Sequence, residues 1–425
     1  MASPRTSPAR ERAAIVGLIT ASSRRLQAER SLDELAGLAE AAGASVVLRL
    51  SQERPRPDPS TFLGSGKIDA LSAACDEADV DLVVFDNELS PAQLREIEAR
   101  VHRKVLDRTQ LILDIFARRA RTREGKWQVE LAQLEYMLPR LVGSSAALSR
   151  LGGGIGTRGP GETKLESDRR RIRHRIQQIS RAIDDVRRRR AQLRERRQKQ
   201  SVPTVSLVGY TNAGKTTLFN LLTREAAEAS DALFVTLDPL VRRVRLPDRR
   251  ELLVSDTVGF IDRLPHTLVA AFRATLEEVN KADLVLHVID AANSERERHV
   301  TAVRRVLDDI GASGVERVDV YNKCDLLEPS EVRRLRQADP AALYVSARTG
   351  NGRAELIETL ASRLSLDVRR VTLEFDAHAP DTPERVARVY RHARVIRHVT
   401  LDGRVSIDAD VSRRALSRLQ GPAPP

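Results

Sequence analysis

Short β-branched runs alternate with helical periods over the first 120 residues. AAIVGLIT (13–20), ASVVLRL (44–50) and VDLVVFD (80–86) are brief and almost uniformly apolar, as buried strands are. Between them, SLDELAGLAEAAG (31–43) opens on a Ser cap and closes at Gly43, and SPAQLREIEARV (90–101) begins with Ser-Pro, a helix-start signal. This alternation predicts an α/β domain over 13–120 with a mostly parallel sheet. The Pro-rich ERPRPDPS (53–60) must be loop. GSGK (64–67) carries a fragment of a phosphate loop without the full spacing, and reads as the lead-in to a helix near IDALSAACDEA.

From residue 124 the period lengthens. Trp127, Leu131, Leu134, Leu138 and Leu141 fall at helical spacing, and after the Gly-rich GGGIGTRGPG (152–161) a second long helix is expected from about 164 to 199. Leu165, Ile172, Ile179, Val186 and Leu193 recur every seven residues, with Ile176 and Ile183 offset by four, a heptad seam that Arg190 interrupts. Two amphipathic helices around a Gly-rich tip predict an antiparallel hairpin over 121–200. Residues 161–200 hold 15 Lys and Arg against 6 Asp and Glu, most of the chain's net charge of +12. RRRIRHR (169–175) and RRRR (187–190) lack matching Glu at i,i+4, so a nucleic-acid contact is favoured over a solvated face. Aromatics are only 3% of the chain, so that contact would go to phosphate and shape, with little base readout.

Residues 202–365 carry the chemistry. In PTVSLVGYTNAGKTTLFNLL the spacing GxxxxGK[ST] falls on Gly209, Gly214, Lys215 and Thr216, between a strand and a helix. Backbone N–H groups from Gly209, Tyr210, Thr211, Asn212, Ala213, Gly214, Lys215, Thr216 and Thr217 would cradle phosphates, Lys215 would reach the β- and γ-phosphates, and Thr216 would ligate Mg²⁺. The base follows from NKCD, residues Asn322, Lys323, Cys324 and Asp325. Asp325 can accept from guanine N1–H and its amino group, Asn322 would bond the loop or the base's acceptor edge, and the Lys323 stem would cover the ring. SAR (Ser346, Ala347, Arg348) adds an Ala347 N–H for guanine O6, so GTP/GDP is the expected ligand. Between these boxes stands DTVG: Asp256 would hold Mg²⁺ through water and the Gly259 N–H would meet the γ-phosphate, with Thr257 and Val258 between them. Phe234, Val235, Thr236, Leu237 and Asp238 form the preceding loop, where Thr236 is spaced to bind Mg²⁺ only when the γ-phosphate is present. Losing that phosphate would release both loops. A strand hairpin is expected over 240–254 with its turn at Pro247-Asp248. Phe260 follows DTVG where many small GTPases place a water-orienting Gln, so no catalytic residue is assigned and slow hydrolysis by the isolated protein is expected.

The last segment (370–420) reads strand, helix, strand, an Asp402-Gly403 turn, strand and helix, a small α+β domain. The fold class is thus α/β: an N-terminal α/β domain with a helical hairpin, a P-loop GTPase domain and a small α+β C-terminal domain. No run approaches the ~18 apolar residues of a membrane span. The two cysteines, Cys75 and Cys324, cannot build a disulfide framework, and the basic N-terminus lacks a secretory core, which points to the cytoplasm.

The boxes GYTNAGKTT, LFVTLDP, DTVGFI, NKCD and SAR, preceded by GGGIGTRGPGETKLESDRRRIRHRI, resemble the HflX family of translational GTPases from about residue 13 to 365. The resemblance implies a GTPase that uses Mg²⁺, binds the large (50S) ribosomal subunit and its rRNA near the peptidyl-transferase region, and acts in splitting stalled ribosomes or in subunit assembly, as a ribosome-associated monomer. Two other readings stay open. One is an RNA-binding module toggled by nucleotide with incidental turnover. The other is an ATP- or GTP-driven RNA remodelling factor, whose ATP-only form Asp325 disfavours.

Overall fold

Seven successive buried residues, Ala13 to Ile19, give β1 (Arg12–Ile19) apolar neighbours on both faces, as a central parallel strand requires. It pairs in parallel with β2 (Ser45–Glu53) and β3 (Leu82–Phe85), and β3 pairs with β4 (Lys104–Asp107), for an order β2-β1-β3-β4. The computed structural model describes residues 10–20, 25–141, 160–199, 202–223, 233–238, 240–246, 251–262, 278–364, 368–412, 416 and 419. They divide into two compact units: one draws on 1–186, 230–238 and 262–274, the other on 187–229, 239–261 and 275–425.

In the first unit, α1 (Arg25–Ala41), α2 (Ser65–Glu77), α3 (Pro91–Val101) and α4 (Arg108–Arg119) accompany the sheet. GSGK is indeed helix lead-in, with Gly64 as N-cap of α2. Ser90 caps α3 as its Ser-Pro start suggested, and it forms a capping box with Gln93. Ser31, however, is not a cap. The helix starts six residues earlier, and the buried Ser31 hydroxyl donates to Asp86 Oδ2 at 2.6 Å, tying α1 to the end of β3. The pattern also leaves out β4 and α4. They abut without a turn because Asp107 both ends the strand and caps the helix, its side chain accepting from the Gln110 N–H.

The expected hairpin is present as α5 (Arg123–Arg140) and α6 (Pro160–Lys199), with most of its Gly-rich tip outside the described residues. Ile179 and Ile183 of α6 pack against Trp127, Leu131 and Leu134 of α5, and Arg175 forks onto Glu130 at 2.7 and 2.9 Å. The α5 helix has a second buried face that the leucine spacing concealed: Gln128, Val129, Ala132 and Tyr136. The Tyr136 hydroxyl donates to Asp107 Oδ2 at 2.5 Å, and burial beside that carboxylate raises the phenol pKa.

The second unit holds a six-stranded sheet of order β10-β9-β8-β5-β7-β6, in which only β6 runs antiparallel. Its elements are β5 (Thr204–Gly209), α7 (Lys215–Thr223), β6 (Leu240–Arg245), β7 (Glu251–Asp256), β8 (Leu284–Asp290), α8 (Arg296–Asp309), β9 (Arg317–Asn322), α9 (Pro329–Ala338), β10 (Leu343–Tyr344) and α10 (Arg353–Arg363). The β6–β7 hairpin is as expected; its Pro247-Asp248 turn lies outside the described residues. A three-stranded antiparallel sheet follows, β11 (Val368–Asp376), β12 (Ala393–Leu401) and β13 (Arg404–Ser412) in the order β11-β13-β12, with α11 (Thr382–His392) between β11 and β12. Asp402 and Gly403 both take positive φ, the two-residue hairpin turn anticipated from Asp-Gly.

Ile179→Ala should destabilise the hairpin by about 2 kcal/mol, the low end for truncating a buried Ile, because its cluster is small. Arg175→Gln should change stability little, since that ion pair is half-exposed. Hydrogen exchange across 127–134 and 176–183 in the two variants checks the contrast.

Candidate phosphate loop and base-reading site

The loop 209–216 leaves β5 at the point where the strand order reverses, with β8 on one side and β7 on the other, which is where open α/β sheets form a crevice. Only glycine fits at two of its corners. A Cβ on Gly209 would lie 2.3 Å from the Val288 carbonyl, and one on Gly214, at φ +87°, would lie 2.2 Å from Asn322 Nδ2. Lys215 arches back over the loop, its ammonium donating to the Gly209 and Tyr210 carbonyls at 3.1 and 2.9 Å. The residue is buried, and desolvation pushes its pKa down to about 8, partly offset by the Asp256 carboxylate.

The three base-side boxes converge through one amide. Asn322, buried at the end of β9, donates from Nδ2 to the Ala213 carbonyl at 3.0 Å, and its Oδ1 accepts the Ala347 N–H at 2.9 Å. Phosphate loop, NKCD and SAR are therefore hydrogen-bonded to one another. Lys323 takes a left-handed φ of 63° and pairs with Asp290 at 2.8 Å, a partner no motif announces. Asp325, the middle residue of the 3₁₀ turn Cys324–Leu326, is exposed, and so is Arg348. Burial raises the Cys324 pKa, so the thiol stays protonated, and it donates to the Tyr321 carbonyl. The Ser346 hydroxyl accepts the Thr349 N–H at 3.1 Å, shaping the SAR turn.

At the end of β7, the Thr216 hydroxyl donates to Asp256 Oδ2 at 2.8 Å. A hydroxyl beside a fully buried carboxylate is a hard-oxygen pair suited to Mg²⁺, which typically takes its remaining ligands from phosphates and water. Among the described residues no cluster of three or more His, Cys, Asp or Glu is arranged to hold a metal without such help. The Thr257 hydroxyl donates to the Leu207 carbonyl, and Val258 is buried. Phe260 is 1% exposed and bridged to the phosphate loop: the Thr211 N–H donates to its carbonyl at 2.7 Å, and its N–H to the Gly209 carbonyl at 3.1 Å. Phe234 to Asp238, with Thr236 among them, belong to the first unit. There Phe234 sets its ring edge-on to Phe116, centroids 4.8 Å apart, and Asp238 accepts the Arg121 and Thr122 N–H groups at 2.9 and 2.8 Å. The sequence gives no hint of these last contacts, because Asp238 and Thr122 are 116 residues apart.

The Lys215 geometry sets a pH dependence. Below about 8 the ammonium is charged and ready for phosphate, whereas above it the unliganded side chain is neutral. Phosphate raises the pKa again on binding, so affinity should fall about tenfold per pH unit above 8. Titrating a fluorescent GDP between pH 7 and 9.5 measures it, and Lys215→Met should abolish the slope.

Three families match in tandem: "GTP-binding GTPase N-terminal" over residues 29–117, "GTP-binding GTPase Middle Region" over 119–197 and "50S ribosome-binding GTPase" over 204–323. GTPase HflX of Caldanaerobacter subterraneus subsp. tengcongensis is 46% identical over 86% of this chain and 83% of its own. GTPase HflX of Magnetococcus marinus is 43% identical over 98% and 96%, and that of Escherichia coli K12 is 48% identical over 80% and 81%. With this likeness running through the phosphate loop, the hairpin and the N-terminal sheet alike, the chain belongs to the HflX family of GTPases.

Proposed function

We propose that this GTPase is a ribosome factor that binds the large (50S) subunit through rRNA in its GTP form and leaves after hydrolysis, acting in ribosome splitting and rescue under stress or in subunit assembly. In this reading the loop 209–217 holds the phosphates, Asn322, Lys323, Asp325 and Ala347 hold guanine, and Mg²⁺ sits on Thr216, on Thr236 once the γ-phosphate is present, and on Asp256 through water. Mg²⁺ there would neutralise charge developing on the phosphoryl oxygens.

The observation that carries the reading is the hairpin. Its helices meet along one narrow apolar seam, which leaves Arg171, Arg173, Arg175, Arg181, Arg188 and Arg189 exposed along α6. Guanidinium groups on a preformed rod suit a folded RNA surface, where phosphate contact supplies affinity and shape supplies fit. No helix among the described residues is long and apolar enough to cross a membrane.

Phe260 explains why turnover would wait for the ribosome. A buried phenyl ring has nothing to offer an attacking water, so positioning and charge stabilisation must come from elsewhere. Single-turnover GTP hydrolysis should be slow for the protein alone, rise about 10²–10⁵-fold with large subunits, and be unmoved by heparin, which supplies charge without an ordering surface. Fast hydrolysis by the protein alone, or equal acceleration by heparin, would contradict the proposal.

A further inference from the structure

The first turn of α5 carries a carboxylate from a distant part of the chain. A helix start leaves backbone N–H groups without intrahelical partners. Thr122, the N-cap of α5, answers one of them by accepting the Gly125 N–H at 3.0 Å. The Thr122 hydroxyl in turn donates to Asp238 Oδ1, while Asp238 Oδ2 accepts the Arg121 and Thr122 N–H groups at 2.9 and 2.8 Å. Asp238 thus completes the cap, charge-matched to the positive end of an 18-residue helix. The fit depends on Gly125, because a Cβ there would lie 2.1 Å from Asp238 Oδ1.

The same short segment is held at two further points. Leu233 lies over Gly37 of α1, close enough that a Cβ on Gly37 would come within 3.3 Å of Leu233 Cδ1, and Phe234 is edge-on to Phe116 of α4. Just past DTVGFI, the Asp262 carbonyl accepts from Arg108 Nη2 at 3.3 Å, and Arg108 is itself fixed between Asp86 and Glu34. The Thr236 segment, and Asp262 just past DTVG, are therefore anchored within the first unit, whereas DTVG itself belongs to the second.

We propose that Asp238 is a positioning residue for the GTPase cycle: a carboxylate latch that holds the Thr236 loop on the first turn of α5 until Mg²⁺·GTP recruits Thr236. The inference rests on the assignment of Thr236 to magnesium. Recruiting Thr236 draws Asp238, two residues on, off the cap, so the helix that opens the basic hairpin registers the nucleotide directly. Linkage makes the effect reciprocal: a surface that favours the uncapped turn also favours GTP over GDP.

Gly125→Ala in the full-length protein tests this. The new methyl displaces the Asp238 carboxylate while leaving the loop sequence intact, and Ala favours helix over Gly, so the fold is not put at risk. Fluorescent nucleotide titrations should show the affinity ratio of a non-hydrolysable GTP analogue to GDP rising about three- to thirty-fold, the range for loss of a helix cap. Asp238→Asn should move the ratio the same way but less, since its amide oxygen still accepts. In the wild type, hydrogen exchange across 121–126 should be slower with GDP than with the GTP analogue and Mg²⁺, and in Gly125→Ala fast with both. Thr236→Ala keeps the two claims apart. Undiminished GTP-analogue affinity in that variant would overturn the magnesium assignment. A normal Thr236→Ala loss, with an unchanged ratio in Gly125→Ala or nucleotide-blind exchange across 121–126, would overturn the latch alone.

Discussion

The side-chain amide of Asn322 is the constraint on which the candidate nucleotide site depends. One group donates to the phosphate loop at Ala213 and accepts from the SAR turn at Ala347, so the phosphate cradle and the base-reading turn hold one spacing. It is buried, where an unmade hydrogen bond costs about 1–3 kcal/mol, so neither contact is readily given up. Gly214 is the other half of the constraint, since any side chain there would meet the amide. Lys215 is held by the same loop's carbonyls, which fix the direction of its ammonium.

The segments carrying Thr236 and Asp262 group differently. Thr236 and Asp262 sit on segments that belong with the N-terminal sheet and hairpin, whereas Thr216, Asp256 and Phe260 belong with the phosphate loop. In the proposed latch, charge-assisted contacts, Asp238 on the cap of α5 and Arg108 on the Asp262 carbonyl, hold these segments.

The placement of GxxxxGK[ST] between β5 and α7, and of NKCD at the end of β9, was legible from sequence because strand and helix patterns flank both motifs. The C-terminal hairpin was legible because Asp402-Gly403 supplies the positive φ its turn needs. Ile179 and Ile183 of the expected seam pack on α5 at Trp127, Leu131 and Leu134, but the leucine spacing of α5 hid a second buried face at Val129, Ala132 and Tyr136, since periodicity reports one stripe more readily than two. Ser31 looked like a cap because Ser favours that place; a bond to Asp86 compensates it inside the helix instead. The β4–α4 junction was lost because Asp107 serves both elements and leaves no turn residues to mark it. Lys323 with Asp290, and Asp238 with Thr122, were illegible for the simplest reason: each pairing joins elements remote in sequence.

The central claim is that guanine nucleotide controls the loading of a basic hairpin onto the large ribosomal subunit. Co-sedimentation of the full-length protein with purified large subunits, in a non-hydrolysable GTP analogue and in GDP at one fixed salt concentration, tests it most directly. The protein should pellet with subunits in the GTP analogue and remain in the supernatant in GDP. Equal pelleting in both nucleotides, or none in either, would contradict the account.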